Sequence, residues 1–180
     1  IPVEGVVPFA IDRYEAQQRF GKWIRKRWFA PNNLKKSFAE GELVGMYVPF
    51  WTYDADVVSQ YCGRGGRSQT RKGPNGKNET YTEWYPVSGM VQGHYDDIQV
   101  CASKTASGNL IQQVLPYDTV GNTQPYPPQY LAGYQAECYT IDGEEGFQVA
   151  QTYIDRDQRS LAESDIRGKG YSQAQVTGMN

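Results

Sequence analysis

The chain has 180 residues, 39% of them hydrophobic and 21% charged, with one His and three Cys, a size and balance that fit one globular domain rather than a disordered chain. No apolar run approaches the roughly 20 residues a bilayer-spanning helix needs, and no signal-peptide pattern opens the sequence, which predicts a cytoplasmic protein without a transmembrane segment. The net charge of −2 conceals a polarised molecule, because 13 of the 18 basic residues sit in two stretches and 18 of the 20 acids lie outside them.

Ile1 to Ala10 is short, apolar and broken by Pro2, Gly5 and Pro8, which predicts an edge strand. Asp12-Arg13-Tyr14-Glu15 is a capping box opening a helix. Ala16, Phe20, Trp23, Ile24 and Arg27 or Trp28 recur at helical spacing, and Trp23 and Trp28 are expected in the core, while Arg19, Lys22 and Lys26 occupy another face. Pro31 should stop this helix, and a basic helical turn is expected at Leu34 to Ala39. Eight cations against two acids, Asp12 and Glu15, mark Asp12 to Lys36.

Leu43 to Cys62 reads as the strongest strand, with Pro49 expected at a bulge or edge because it cannot donate to a ladder. A second strand run follows at Thr80 to Val87, then Met90 to Tyr95 and Ile98 to Cys101, with bends expected at Gly89 and Gly93. Between them Gly63 to Asn78 holds five cations and no acid, and Pro74-Asn75-Gly76 signals a turn. The reading is a long hairpin with a mobile basic loop at its tip.

Ser107 or Asn109 should cap a short helix that Pro116 ends. Gly121 to Gln129, with Pro125, Pro127 and Pro128, is expected as an extended loop, and Leu131 to Tyr139 stays open between strand and helix. A second capping box, Asp142-Gly143-Glu144-Glu145, heads a helix to about Ile166 with Phe147, Ala150, Ile154 and Leu161 on one face. A last strand is expected at Ala174 to Thr177. Together these predict a single α+β domain over residues 1–180: a twisted antiparallel sheet with a long basic-loop hairpin, packed by an N-terminal and a C-terminal helix.

Cys62, Cys101 and Cys138 are widely spaced and form no C-x-x-C pair, which fits neither a disulfide framework nor a zinc site. They are expected to be buried free thiols, and no cofactor is expected within this chain. His94 with Asp96 and Asp97 reads as a solvent-exposed bend. Asp54 and Asp56 share a strand face and could pair with Glu83 across the hairpin, for acid–base work or simply as solvated acids. No phosphate-binding loop, nucleophile elbow, metalloprotease helix or dinucleotide fingerprint appears, so no catalytic residue is assigned.

Arg19, Lys22, Arg25 and Lys26 on the helix and Arg64, Arg67, Arg71 and Lys72 on the Gly-rich stretch are the candidate residues for an anionic partner. Arg and Lys release counterions from a polyanion, and Gly lets a backbone approach it closely. Nucleic acid is the first partner expected. A protein partner docked on an aromatic sheet face or on the loop at Pro125 to Pro128 is the alternative, and an anionic membrane surface a third. A solvated helix face and a charged hairpin tip would have the same composition.

Several phrases carry a resemblance: Val7-Pro8-Phe9, Lys22-Trp23-Ile24-Arg25-Lys26-Arg27-Trp28-Phe29-Ala30-Pro31 and Gly45-Met46-Tyr47-Val48-Pro49-Phe50-Trp51-Thr52-Tyr53-Asp54-Ala55-Asp56. Ala102-Ser103-Lys104, Leu115-Pro116-Tyr117-Asp118 and Tyr130-Leu131-Ala132-Gly133-Tyr134 continue it in the same order. The chain resembles bacterial zinc-ribbon-containing proteins described as transcription factor IIB type or as primosomal-helicase relatives. The resemblance implies a ribbon ahead of Ile1 and further strands beyond Asn180, so this would be a piece of a longer protein, an expectation that the missing initiator Met shares. It implies no metal here, since the ribbon's paired cysteines are missing, and no motor, since helicase motifs are missing too.

Overall fold

A computed structural model of the chain describes residues 3–27, 29, 43–105, 111 and 114–180. Helices and antiparallel sheet coexist, as the α+β reading expects. The chain divides into two compact units, each built from two segments: Ile1–Phe50 with Cys101–Asp142, and Trp51–Val100 with Gly143–Asn180. The turn at Leu34 to Ala39, the cap at Ser107 or Asn109, and Trp28 and Pro31 fall outside the described residues.

In the first unit the opening strand β1 (Gly5–Val6) pairs antiparallel with β5 (Gln124–Pro125), and β2 (Met46–Tyr47) pairs in parallel with β6 (Gln135–Ala136). Phe9 stacks on Tyr134 with centroids 4.7 Å apart, and Tyr47 meets Phe9 edge-on at 4.9 Å. These rings give the short strands an apolar partner that their length alone would not. Helix α1 (Arg13–Arg25) starts where its cap predicts, with Asp12 Oδ1 accepting from Glu15 N at 2.7 Å. It buries Gly21 and Ile24. Trp23 lies about 100° around the helix from Ile24 and is 46% exposed, so the expectation that it belongs to the core is corrected.

The predicted loop at Gly121 to Gln129 is also corrected. Asp118 caps a short helix α2 (Thr119–Asn122) by accepting from Gly121 N at 3.0 Å, β5 follows, and a 3-10 turn runs over Pro128–Leu131. Leu131 to Tyr139, left open between helix and strand, holds the end of that turn and then β6.

The second unit is a three-stranded antiparallel sheet in the order β4-β3-β7, formed by β3 (Phe50–Lys72), β4 (Asn78–Cys101) and β7 (Gln173–Met179). Pro49 interrupts the predicted strand: β2 ends at Tyr47, β3 starts at Phe50, and the Pro49 carbonyl accepts from Ala102 N at 2.9 Å. Strand β4 runs through Gly89 and Gly93 without the expected break. Gly89 leaves room for the Tyr61 hydroxyl and Lys169, and Gly93 for the Gln158 amide.

Helix α3 (Gly143–Gly168) packs on one face of this sheet, whereas α1 belongs to the first unit. Its buried residues are Gly146, Ala150, Ile154, Gln158, Ala162 and Ile166, a strict i, i+4 row whose small members bring the helix axis close to the strands. Ala162 and Ile166 join Tyr61, Val91 and Val176 in the core cluster. Phe147, expected on the buried face, is 46% exposed and meets Tyr53 only edge-on at 5.7 Å.

Candidate anion-binding arm

The Gly-rich stretch expected to be a loop is strand for most of its length, since β3 continues to Lys72 and the turn is confined to Gly73 through Lys77. Its glycines answer to packing. A Cβ on Gly63 would stand 2.4 Å from the Gln175 carbonyl oxygen of β7. Strand β7 pairs with β3 only from Tyr61 to Gly66. Past that point Arg67–Lys72 forms, with the start of β4, a two-stranded arm about 20 Å long at ~3.3 Å per residue.

Every residue from Arg67 to Lys72 is exposed. The Arg67 guanidinium lies 5.0 Å from the Tyr171 ring centroid and 5.7 Å from that of Tyr85. Arg71 lies 5.4 Å from the Tyr81 ring, with Nε 3.6 Å from Glu79 Oε2. Among the described residues no carboxylate reaches Arg64, Lys72 or Lys77. Arg71, Lys72, Gly73, Pro74 and Glu79 line a shallow depression at the tip. A hydrogen bond with the Glu83 carboxylate is the main reason the Tyr85 pKa is raised, with Arg67 pulling the other way.

On α1, Arg19 is paired with Glu15 at 2.6 Å and Arg25 Nε donates to the Gly21 carbonyl at 3.0 Å. Lys22 and Lys26 have no carboxylate in reach among the described residues. The helix cations belong to the first unit and the arm cations to the second. Of the eight candidates, Arg19 and Arg71 already have acidic partners.

Strand alternation does bring Asp54, Asp56 and His94 together, while Glu83 lies nearer the turn, beside Tyr85. His94 sits within β4 rather than in a bend, and its Nδ1 is 2.6 Å from Asp56 Oδ1. That hydrogen bond, then the charges of Asp56, Asp96 and Asp54, raise the His94 pKa. Asp97, at φ 55°, donates its N–H to Asp54 Oδ1 at 2.9 Å. Carboxylate oxygens of Asp54, Asp96 and Asp97 come within 4.8 Å of one another at the surface, an all-oxygen set of the kind hard cations use.

Two polar networks carry no signal in the sequence. The Tyr61 hydroxyl donates to Asp165 and accepts from Lys169 Nζ at 2.8 Å, and Lys169 also reaches Asp165 at 2.8 Å and the Ser88 carbonyl at 3.1 Å. In the first unit Ser103 and Thr105 both donate to the Glu137 carboxylate. The thiols are free, but the expectation that they are buried is corrected: Cys62 and Cys138 are exposed and Cys101 is half-buried. Cys62 is turned outward because its neighbours Tyr61 and Gly63 take the inward positions of β3.

The chain is similar to the uncharacterized protein YdjG of Bacillus subtilis (strain 168), with 31% identity over 155 residues, and the match covers 83% of this chain and 45% of that protein. It therefore spans less than half the length of that relative. No family model and no solved structure matches the chain. No helix among the described residues is long and apolar enough to cross a membrane.

Proposed function

We propose that this chain is a non-catalytic binding module, of the kind its resemblance sets after a zinc ribbon, and that it grips a polyanion, nucleic acid first, with the arm of the β3–β4 hairpin. The observation that supports this is the arm itself, a two-stranded ribbon beyond the third strand carrying Arg67, Arg71, Lys72 and Lys77, with Arg64 at its base. A two-stranded ribbon fits the major groove of B-form DNA. The Tyr rings under Arg67 and Arg71 hold the guanidiniums in place; the N–H groups of Arg67 stay open to phosphate, whereas Arg71 would share its own with Glu79.

Labelled single- and double-stranded DNA and RNA are titrated at two salt concentrations. The expected result is micromolar binding that weakens as salt rises, with a slope of about −0.9 per phosphate contacted on a duplex. Absence of salt-sensitive binding in the micromolar range ends this reading. A protein partner is the second reading, and exposed apolar side chains support it: Trp84, Met90 and Val58 are 41%, 56% and 58% exposed. Binding on that surface would depend little on salt.

A further inference from the structure

The sheet face opposite α3 carries charge of opposite sign at its two ends. Along β3, Asp54, Asp56, Val58, Gln60, Cys62 and Arg64 are exposed, alternating with Tyr53, Ala55, Val57, Ser59, Tyr61 and Gly63, which are half-buried or buried. On β4 the matching exposed residues are Met90, Gln92, His94 and Asp96, alternating with Val91, Gly93 and Tyr95. The face therefore runs from an acidic end (Asp54, Asp56 with its partner His94, and Asp96) through a mixed middle, where Val58 and Met90 stand beside Gln60, Cys62 and Gln92, to Arg64. Val58 and Met90 in that middle are each more than half exposed, whereas a sheet face turned only to water places polar residues there.

A surface that is acidic at one end and basic at the other is complementary to itself turned end for end. Gln60 is midway between Asp56 and Arg64. A two-fold axis lying in the plane of the face and crossing the strands at Gln60 sets Arg64 of each copy over Asp56 of the other. It also sets Cys62 over Val58, and Met90 comes near the axis. We propose that a second copy of this chain packs on this face, giving an isologous dimer of two sheets face to face.

The patch from Asp54 to Arg64 is about 33 Å long and, with two strands, about 10 Å wide, reaching about 14 Å only from Tyr61 on, where β7 joins. That is roughly 400 Å² per copy, the size of a weak, transient contact. The dimer is accordingly reversible, and the two Arg64–Asp56 pairs set its register more than its strength.

Sedimentation velocity on the 180-residue chain across the micromolar range tests this. The expected result is a concentration-dependent monomer–dimer equilibrium that weakens with salt. Arg64→Asp or Asp56→Arg alone should raise the dimer Kd tenfold or more. The double variant R64D/D56R should restore it, because each reversed charge again meets its opposite. Circular dichroism checks that these exposed substitutions leave the fold intact, and the rescue by the double variant separates a lost contact from a lost fold. In a Cys62→Ser, Cys138→Ser background, Gln60→Cys should form a disulfide-linked dimer on mild oxidation, whereas Gln151→Cys on the exposed side of α3 should not. A monomer throughout the range overturns the proposal. So does a dimer that both single reversals leave unchanged, or a failure of the double variant to recover what either single one lost. Arg64 also stands at the base of the arm, so nucleic-acid binding is tested apart from this face with Lys72→Ala and Lys77→Ala, which play no part in it.

Discussion

Gly65 lies directly beneath the ring of Tyr171, so that a Cβ on Gly65 would stand 2.3 Å from Tyr171 Cγ. Gly65→Ala must push Tyr171 off the core cluster it covers. Gly63→Ala must push the backbone of β7 away from β3, where the obstacle is the Gln175 carbonyl. Both should lose about 1–3 kcal/mol, Gly63→Ala the more, because a strand yields less readily than a ring. Urea denaturation measures this. Gly168→Ala, where a Cβ meets nothing within 4 Å, should be neutral or stabilising by up to about 1 kcal/mol.

Tyr61→Phe removes a hydroxyl that both Asp165 and Lys169 use, and should cost about 1 kcal/mol at neutral pH. Hydrogen bonds from Lys169 and Tyr61 lower the Asp165 pKa. The stability this gives is present above the ordinary carboxylate pKa of about 4 and is lost as pH falls through the lower folded value. The Lys169 pKa is raised by Asp165 and Tyr61, and that of Tyr61 by burial. Those contributions are present below about pH 10 and fade as pH climbs through the raised values. Melting temperature against pH should therefore fall at both extremes, and Tyr61→Phe should flatten both falls.

His94 is the one histidine of the chain, so its ring proton is a clean NMR reporter. Its pKa should lie above the usual value of about 6.5, and Asp56→Asn should bring it down, since the hydrogen bond to Asp56 is the largest cause of the rise. A titration unmoved by Asp56→Asn would show that this pair does not form in solution.

Arg67 and Lys72 should separate on the arm. Lys72→Ala should lower the salt slope of nucleic-acid binding by about 1 without changing the unfolding midpoint. Arg67→Ala should do both, with a stability loss of about 0.5–1 kcal/mol for its contact with Tyr171 and Tyr85. Equal melting curves for the two variants would contradict the stacking role.

A thiol reagent applied to the folded protein, diluted to the monomer, should modify Cys62 and Cys138 quickly. Cys101 should react more slowly, because it is half-buried and its thiol donates to the Ser103 carbonyl at 3.5 Å. Counting fast and slow equivalents by absorbance checks this.

What the sequence made readable was local chemistry. The Asp12 cap, the start of α3 beside Asp142 and the turn at Pro74-Asn75-Gly76 depend on residues three or four positions apart, and all stand where such spacing puts them. The Gly63–Arg67 run reads as loop in the sequence because the partners that demand its glycines, Gln175 and Tyr171, are more than 100 positions away. Spacing alone lets Asp54 and Asp56 pair with Glu83; only the hairpin register brings His94 and Asp97 to them instead. Tyr61 reads as one more strand aromatic until Asp165 and Lys169 arrive from the far end of the chain.

The two units are interleaved along the chain, and this orders events during synthesis. The β3–β4 hairpin is complete once Val100 is made, but α3 and β7, which cover Tyr61 and Val91, follow only after residues 101–142 of the other unit. At about 5–20 residues per second the ribosome needs roughly 4–16 s to deliver that cover. Throughout that interval a long apolar sheet face is open to solvent, which makes the nascent hairpin a natural client for a chaperone.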